Sequence, residues 1–390
     1  NTFTPVQHPA NDMTTATVTT HFDYHSIDHN LLKLDILGHD DPTMIRMLQD
    51  LTGIDPVTIP LDDEAVMSLF KNTSALGVTP EDIGGIPLGC LGIPEFGTEF
   101  AMQMVIDAKP QEFSDLIRIS GLSHGTDVWL NNAQDLIKSG KATISTAICT
   151  RDDIMTYLIN KGLDSEESFT IMERVRKGTV AKGKCKEWTD FKKDMIDHDV
   201  PDWYIGSCEK IKYMFPKAHA AAYVMMAYRI AYCKVNYPLA YYGAYFGIRA
   251  NAFSYEKMCQ GKEKLQYYIN DYTRRSSSLT NKEQDEMKDM HIVQEMYARG
   301  FEFMPIDIYK AKATKFQIID GKLMPPFSTI DGMGDKAAEA VEVAAKDGPY
   351  LSRDDFRQRT KASKTVIDTM NDLGLFGELP ESNQLSLFDF

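Results

Sequence analysis

Closely spaced cysteines are missing from this sequence. It has six cysteines among 390 residues, and no two of them form a Cys-x-x-Cys pair. Zinc ribbons and dense disulfide frameworks both depend on such spacing, so the sequence argues against both classes of protein. The scattered thiols instead predict a protein that works in the reducing cytoplasm.

The sequence also lacks the pattern of a secretory or membrane-spanning segment. Residues 1–20 show no charged stretch followed by an apolar one, which is the pattern of a signal peptide. The longest apolar stretch, residues 218–248, contains Arg229 and Lys234 and is interrupted by Pro238. Such residues are rare in membrane helices, so this stretch predicts a buried helix of a soluble protein.

Acidic and basic residues are distributed unevenly along the chain, whose net charge is −14. Residues 1–100 hold fifteen Asp and Glu against three Lys and Arg, whereas residues 174–257 hold fifteen Lys and Arg against eight Asp and Glu. One explanation is an uneven solvated surface. The other is an acidic, metal-binding part joined to a basic part that faces phosphate. The length predicts two to three domains.

Two β-rich segments near the start predict a hairpin. Residues 15–22 are rich in Thr, a polar turn follows, and residues 31–38 (LLKLDILG) alternate between apolar and polar side chains. The alternation places Asp35 and Lys33 on the face opposite the apolar one. A carboxylate on an open sheet face suits Mg²⁺, which prefers hard oxygen ligands. The alternative is that Asp35 only keeps this face soluble.

The remaining sequence predicts an α+β protein that is mostly helical. Asp41-Pro42 is typical of a helix start and Gly53 of a helix end, while Asp164 and Gly178 bracket a later helix in the same way. Short strands are predicted within residues 300–324. Helices are predicted at residues 42–52, 127–139, 151–161, 165–177, from 217 onwards, 280–299, 336–346 and 363–373.

Basic residues gather at the end of the predicted helix 165–177. Arg174, Arg176 and Lys177 lie in its last turn, and three further lysines follow in a loop interrupted by glycine. Cations at a helix C-terminus are stabilising through the helix dipole, which is one explanation. The other is a phosphate site, because guanidinium groups match phosphate oxygens bidentately. Lys217 opens a later helix, whose exposed amides also favour phosphate.

A Gly-x-Gly turn, with predicted helices at residues 336–346 and 363–373 after it, indicates a helix-hairpin-helix unit. The turn lies in the segment IDGMGDKAA at residues 330–338, and its glycines are Gly332 and Gly334. In such a unit the glycines let backbone amides approach a DNA phosphate without sequence preference, and Lys336 would add a positive charge. A simple tight turn is the alternative.

The end of the chain predicts a docking peptide. The segment around it is rich in Pro, Glu, Ser and Asn and has no reason to fold alone. Within it, Gln384, Leu385, Leu387 and Phe388 combine an amide with spaced apolar anchors, a pattern typical of peptides that bind a pocket on a partner. The alternative is a frayed tail with hydrophobic residues present by chance.

Four internal motifs and this tail carry a resemblance to a known family. The motifs are KLDILGHD (33–40), SGLSHGTDVW (120–129), RDDIM (151–155), FPKAHAAAY (215–223) and QLSLF (384–388). In this order they resemble the C-terminal part of the PolC-type replicative DNA polymerase III α subunit of bacteria. The tail resembles the motif by which bacterial replication proteins bind the sliding clamp.

The resemblance implies a catalytic role for Asp35. It corresponds to the third carboxylate of the polymerase palm, which holds Mg²⁺ and joins a dNTP to the primer 3′-hydroxyl by two-metal nucleotidyl transfer. The other two carboxylates of the family form an Asp-x-Asp pair upstream. The only such pair here, Asp197 and Asp199, lies in a polar turn before a predicted helix. We therefore expect the chain to need the remainder of the polymerase and to be inactive alone.

The resemblance also implies a nucleotide site in the fingers. The basic cluster would grip the triphosphate, and two histidines and a tyrosine would line the nascent base pair. The alternative for each histidine is a packing role, and no signature of a Ser-His-Asp triad accompanies them. The residues expected to bind the nucleotide are Lys33, His124, Arg174, Arg176, Lys177, Lys217, His219 and Tyr223.

The expected domains are the C-terminal part of a palm (1–90), fingers (91–250), a duplex-binding region with the helix-hairpin-helix (251–380) and a flexible clamp-binding tail (381–390). The expected partners are primer–template DNA, dNTP, the sliding clamp and the rest of the polymerase, with no membrane. The alternative function is a non-catalytic DNA-binding and clamp-docking adaptor, in which the acidic strand is only surface.

Overall fold

The computed structural model describes residues 2–34, 36 and 38–382. Helices dominate and the few strands are short, so the expected α+β, mostly helical class is confirmed. The chain divides into two compact units, Asn1–His39 and Asp40–Phe390. Asp35 and the predicted clamp-binding residues Gln384, Leu385, Leu387 and Phe388 lie outside the described residues.

The first unit contains a short antiparallel ladder and one helical turn. Strand β1 (Val6–Gln7) pairs with strand β2 (Thr19–Thr20). Helix α1 (Tyr24–Ile27) follows Asp23, whose side chain accepts a hydrogen bond from the backbone amide of His25. This is a helix cap of the usual kind, because the carboxylate satisfies an amide that has no partner inside the helix.

The predicted hairpin between residues 15–22 and 31–38 is wrong. Strand β2 pairs with the segment that precedes it, and the described residues of 31–38 form no strand. An isolated two-stranded hairpin is marginal unless its apolar face is covered. In this unit nothing covers that face, since Leu32 and Ile36 remain 87% and 94% exposed. No described residue of the first unit is buried.

Helices form most of the second unit. Those in its first part are α2 (Asp40–Thr52), α3 (Glu64–Ser68), α4 (Glu99–Ala108), α5 (Phe113–His124), α6 (Gln134–Lys138), α7 (Arg151–Lys161), α8 (Ser165–Arg176), α9 (Trp188–Asp197) and α10 (Asp202–Cys208). Those in its second part are α11 (Lys217–Asn236), α12 (Pro238–Ala244), α13 (Tyr255–Met258), α14 (Lys262–Arg274), α15 (Asn281–Ala298), α16 (Asp335–Ala344), α17 (Arg353–Thr360) and α18 (Lys364–Asp372). Strands β3 (Gln317–Ile319) and β4 (Lys322–Met324) form an antiparallel hairpin between α15 and α16.

The long apolar helix α11 packs in the larger hydrophobic core, against α2, α5 and α12. Its buried residues include Val224, Ala227 and Tyr228. Pro238 separates α11 from α12, as predicted, because proline has no backbone N–H to continue the hydrogen-bond ladder. Among the described residues, no helix has the length and apolar character needed to cross a membrane.

A second hydrophobic core lies within α16, α17, α18 and the segment before them. Phe327, Ile330, Val341, Phe356 and Met370 are all buried in it. The Gly-x-Gly turn and the three helices that follow it therefore share a core of their own, in which Ile330 and Met333 of the turn segment are buried.

Several predicted helices are confirmed together with their ends. Helix α7 ends at Gly162, which adopts a left-handed conformation with φ of 101°. Helix α8 begins after Asp164, whose side chain accepts from two amides of the first turn, and it ends before Gly178. These ends are local features of sequence, because each uses side-chain or backbone groups within a few residues.

The predicted helix at residues 127–139 is wrong in its first half. Leu130 and Asn131 leave the helical conformation, and a regular helix starts only at Gln134. The buried side chain of Asn132 donates to the carbonyl of Ser207 at 3.2 Å. This long-range contact favours the irregular backbone, and the local sequence does not reveal it.

Asp41, which the sequence predicts as a capping residue, lies one position inside the helix that it was expected to precede. It lies in the first turn of α2, is fully buried, and its Oδ1 is 2.6 Å from NH1 of Arg249. Helix α2 itself is confirmed, as is its end at Gly53. The acidic start of α2 thus forms an ion pair with a residue more than two hundred positions away.

Candidate functional site

A cluster of cations surrounds Glu173 near the C-terminus of α8. Arg176 binds its carboxylate bidentately, with Nε at 2.7 Å and NH2 at 2.8 Å. Nζ of Lys177 is 3.0 Å from Oε2, and NH1 of Arg151 is 3.8 Å from Oε1. The pKa of Glu173 falls to about 2, chiefly because Arg176 donates to the carboxylate, with Lys177 adding to the effect. One carboxylate therefore holds three cations in place, and the group keeps an excess of positive charge.

We expect this cluster to make stability depend on acid pH. The pKa of Glu173 is depressed from 4.5 to about 2, so its stabilising contribution is present above about pH 4.5 and is lost as the pH falls through about 2. Glu173→Gln should therefore be less stable near pH 6, on the order of 2 kcal/mol. The difference should shrink between pH 5 and pH 2 in urea denaturation curves. Two parallel pH profiles would contradict this assignment.

Arg174 does not join this cluster. Its NH2 group is 3.1 Å from Oε1 of Glu187, which starts the next helical segment. Arg174 and Arg176 thus bind different carboxylates, although the sequence predicts that they belong to one basic cluster. Three lysines in the intervening loop, Lys182, Lys184 and Lys186, are all exposed.

The segment before α11 connects the cation cluster to that helix. The carbonyl of Phe215 accepts from the amide of Arg151 at 3.2 Å, and the carbonyl of Arg176 accepts from the amide of Met214 at 3.3 Å. The amide of Lys217 donates to Oδ2 of Asp152 at 2.6 Å. Because these bonds fix the backbone, the first turn of α11 lies beside the ends of α7 and α8.

An aromatic cluster also contacts this segment, through the ring of Phe215. The ring of His124 is 5.5 Å from that of Phe215 and 5.6 Å from that of His219. His219 is in turn 4.5 Å from the ring of Tyr223. Burial lowers the pKa of His219, and the neighbouring His124 lowers it further. Three of the residues predicted for one site, His124, His219 and Tyr223, are thus brought together from two distant motifs.

The sequence did not identify several residues of this arrangement. Glu173 binds the cations and Arg151 is one of them. Phe215 contacts both clusters, and the carboxylate of Glu95 lies 3.2 Å from Nε2 of His124. Glu173 could have been found from its spacing, since it lies three residues before Arg176 on one helix. Glu95 gave no local signal, because its contact arises only in the folded chain.

Lys33 and Asp35 are the predicted residues of the first unit. Nζ of Lys33 lies 4.8 Å from the ring centroid of Tyr24, and Asp35 lies outside the described residues. In the part of the chain that the structure describes, no group of three or more His, Cys, Asp or Glu could hold a metal ion. The described residues alone therefore do not provide a metal site.

The Gly-x-Gly turn lines a cavity of about 770 Å³. Gly332 has a φ of 86°, which L-residues with side chains rarely adopt, and Gly334 precedes the first turn of α16. The opposite wall includes residues 250–253 and Lys282. The predicted Lys336 is exposed in the first turn of α16. The open backbone of the turn and the side chain of Lys282 thus border the same cavity, whereas Lys336 is not among its lining residues.

Two hydrogen bonds fix the position of this turn and of the backbone at Pro380. Oγ of Ser254 donates to Oδ2 of Asp331 at 2.8 Å, which ties the turn to the opposite wall of the cavity. The carbonyl of Pro380 accepts from the amide of Arg353 at 2.8 Å, at the start of α17. The backbone is therefore held close to the point where the described residues end.

Two family models match the chain. The bacterial DNA polymerase III alpha subunit finger domain matches residues 41–199, which include His124 and the cation cluster. The helix-hairpin-helix motif matches residues 300–385, which include the Gly-x-Gly turn. The finger match thus covers the cation cluster and His124 but ends before Phe215, Lys217, His219 and Tyr223, and the second match covers the Gly-x-Gly turn.

Curated relatives match almost the entire chain. The DNA polymerase III PolC-type of Streptococcus pyogenes serotype M5 (strain Manfredo) is 54% identical over 389 residues. The match covers 99% of this chain and 26% of that relative, and the protein of the same name from serotype M1 gives the same values. The chain thus spans about a quarter of the length of these relatives. With the finger and helix-hairpin-helix matches, this similarity places the chain in the PolC-type DNA polymerase III family.

Proposed function

We propose that this chain supplies the nucleotide-binding fingers and the duplex-binding region of a replicative DNA polymerase. In the complete enzyme it would take part in template-directed transfer of a nucleotide from dNTP to a primer 3′-hydroxyl. The observation that carries the proposal is that Phe215 contacts both groups: its carbonyl accepts from Arg151 of the cation cluster, and its ring packs against His124 and His219. A nucleoside triphosphate has these two parts, an anionic chain and a flat base.

Each group of residues has a separate role in this proposal. Arg176 and Lys177 attract the triphosphate, Lys217 adds charge at the start of α11, and Arg174 contributes from the other side of α8. His124, His219 and Tyr223 offer ring faces and edges to the nascent base pair. A neutral His219 suits this role, because a buried charge beside a base would be costly.

The domains that we propose keep the bounds predicted from the sequence. Residues 1–90 would complete the palm, residues 91–250 would form the fingers, residues 251–380 would bind duplex DNA, and residues 381–390 would form the tail. The finger-domain match begins at residue 41, inside the interval assigned to the palm. The match therefore supports a shorter palm segment, with an end near His39, where the first compact unit ends.

Mg²⁺ is the metal we propose for the complete enzyme, with Asp35 as one of its ligands. Because the described residues provide no metal site of their own, the other carboxylates would come from additional polypeptide. When bound, Mg²⁺ would activate the primer hydroxyl and neutralise charge on the triphosphate. Lys33, two positions before Asp35, would lie beside the bound phosphates.

The first unit supports the need for additional polypeptide. Leu32, Leu34 and Ile36 are all exposed, so together they leave apolar surface uncovered. A stable domain would bury them, because each exposed aliphatic side chain forfeits about 1.5–3 kcal/mol of hydrophobic stabilisation. We propose that the remainder of the polymerase covers this surface and carries the upstream Asp-x-Asp pair.

Primer–template DNA and a sliding clamp are the proposed macromolecular partners. Gly332 and Gly334 would direct backbone amides at a DNA phosphate, and Lys336 would add charge without sequence preference. The tail residues Gln384, Leu385, Leu387 and Phe388 would dock in a pocket of the clamp.

The test compares this chain with a chimera in which the upstream part of the Streptococcus pyogenes relative precedes it. The isolated chain should bind primed duplex DNA with an affinity that falls at least about tenfold between 50 and 200 mM salt, because phosphate contacts release counterions. It should add no nucleotide. The chimera should extend the primer. Extension by the isolated chain, or an inactive chimera, would contradict the proposal.

The same chimera separates the polymerase from the adaptor. On clamp-loaded primers, replacing Leu387 and Phe388 with Ala should shorten the products and leave distributive synthesis unchanged. Replacing Lys177 with Ala should raise KM for dNTP without changing duplex affinity. If KM is unchanged while the tail still controls product length, the adaptor function is favoured.

A further inference from the structure

The loop that carries Glu95 is closed tightly on itself. A Cβ atom at Gly97 would lie 2.8 Å from the amide nitrogen of Gly92 and 2.8 Å from the carbonyl oxygen of Ile93. Both are backbone atoms, which cannot move aside as a flexible side chain would. Sγ of Cys90 also contacts the carbonyl of Phe96 across the loop at 3.5 Å. The loop therefore has one well-defined shape.

A buried ion pair anchors the beginning of this loop. Nζ of Lys234 donates to the carbonyls of Gly89 at 2.8 Å and Leu91 at 2.6 Å. The same ammonium group is 2.9 Å from Oε1 of Glu295 on α15, and both side chains are fully buried. Because the ammonium would be costly to leave unpaired in the core, these carbonyls are held firmly.

Glu95 adopts a backbone conformation that its side chain disfavours. Its φ is 68°, in the left-handed region where glycine is the favoured residue. Its side chain is only 10% exposed, accepts a hydrogen bond from Oγ of Ser120 at 3.2 Å, and faces Nε2 of His124 at 3.2 Å. A strained residue with a specific, buried contact is typical of functional sites.

His124 is thus held from both sides of its ring. Nδ1 donates to the carbonyl of Ser120 at 2.7 Å, and Nε2 faces the carboxylate of Glu95. The two contacts fix the plane of the imidazole, which packs edge-on against Phe215 and His219. Loss of the Glu95 contact would leave the ring tethered through one nitrogen only.

We propose that Glu95 is a positioning residue that sets the orientation of the His124 ring for binding of the incoming nucleotide. This inference rests on the proposed function, and it adds a residue that makes no contact with the nucleotide itself. The loop is anchored in the core, and its strained tip delivers one carboxylate to one ring. The strain is retained because the carboxylate at this point is needed for binding, whereas glycine would suit the backbone better.

The test uses Glu95→Gly and Glu95→Gln in the chimera, with primer extension at varied dNTP concentration. Glycine fits the left-handed backbone, so this variant should fold with an unchanged or higher Tm. It should raise KM for dNTP about tenfold, since it removes a hydrogen bond to a charged group, with little change in kcat. Glutamine can still accept from both partners, so its KM should stay within about threefold of wild type.

Asp320→Gly is the matched control, because Asp320 also has a positive φ of 49° but lies in the turn between β3 and β4. It should leave KM unchanged. An unchanged KM in Glu95→Gly would overturn the inference while the proposed function stands. A raised KM together with a lower Tm would also overturn it, because Glu95 would then be a structural residue. An inactive wild-type chimera would instead refute the proposed function.

Discussion

Asp35→Asn in the chimera should reduce primer extension by on the order of 10³-fold, because the amide cannot replace an anionic ligand of Mg²⁺. The affinity for primed duplex DNA should change little, since the helix-hairpin-helix turn lies far along the chain from residue 35. Single-turnover extension and DNA-binding titrations would measure the two quantities separately. Loss of extension with intact DNA binding is the pattern that a catalytic carboxylate predicts.

The chain contains a suitable control in the pair Asp197 and Asp199. This pair has the Asp-x-Asp spacing of the family but lies at the end of α9 and in the turn after it. Asp199 has a φ of 55°, which asparagine also tolerates. The double change to asparagine should leave extension unchanged. Equal activities of Asp35→Asn and wild type would remove Asp35 from the catalytic site and favour the adaptor.

Lys234→Met should cost about 3–5 kcal/mol of unfolding free energy, because it leaves Glu295 as an uncompensated buried charge. Oε1 of Glu295 also accepts from the hydroxyl of Tyr242 at 2.6 Å, so one substitution disturbs three helices, α11, α12 and α15. It further frees the carbonyls of Gly89 and Leu91. Urea denaturation of the chain, followed by circular dichroism, would measure the loss.

A surface pair provides the comparison for this prediction. Lys192 and Glu209 are 2.9 Å apart but 45% and 38% exposed, so Lys192→Met should cost less than about 1 kcal/mol. The double variant Lys234→Met with Glu295→Gln should recover part of the loss, because it removes the unpaired charge. Equal losses at the buried and the surface pair would show that Lys234 does not anchor the core.

Local signals in the sequence predicted helix ends well. Asp164 caps α8, Gly162 ends α7 and Pro238 separates α11 from α12, each as predicted. These predictions are confirmed because the groups that form hydrogen bonds at a helix end lie within one turn of it. The same reasoning failed for the hairpin at residues 15–38, because strand pairing depends on a partner and a covered face that lie elsewhere.

The candidate site was predictable in part. The histidines, Tyr223 and the basic residues were identified from motifs. The structure places His124 beside His219, and it places Arg176 and Lys177 on the same carboxylate, that of Glu173. Arg174 does not bind that carboxylate, because its guanidinium group pairs with Glu187. Neither Glu95 nor the role of Arg151 was predicted, because charge pairs across the fold have no fixed spacing along the chain.

The sequence by itself determined the family resemblance, the helical class and most helix ends, because these depend on residue type and on neighbours within a few positions. The tertiary structure alone decided which carboxylate each cation binds and how Glu95 reaches His124. It also decided that Asp41 is buried beside Arg249 and Lys234 beside Glu295. The physical reason is that burial and electrostatic pairing act through space, so their partners are set by how helices distant in sequence pack together.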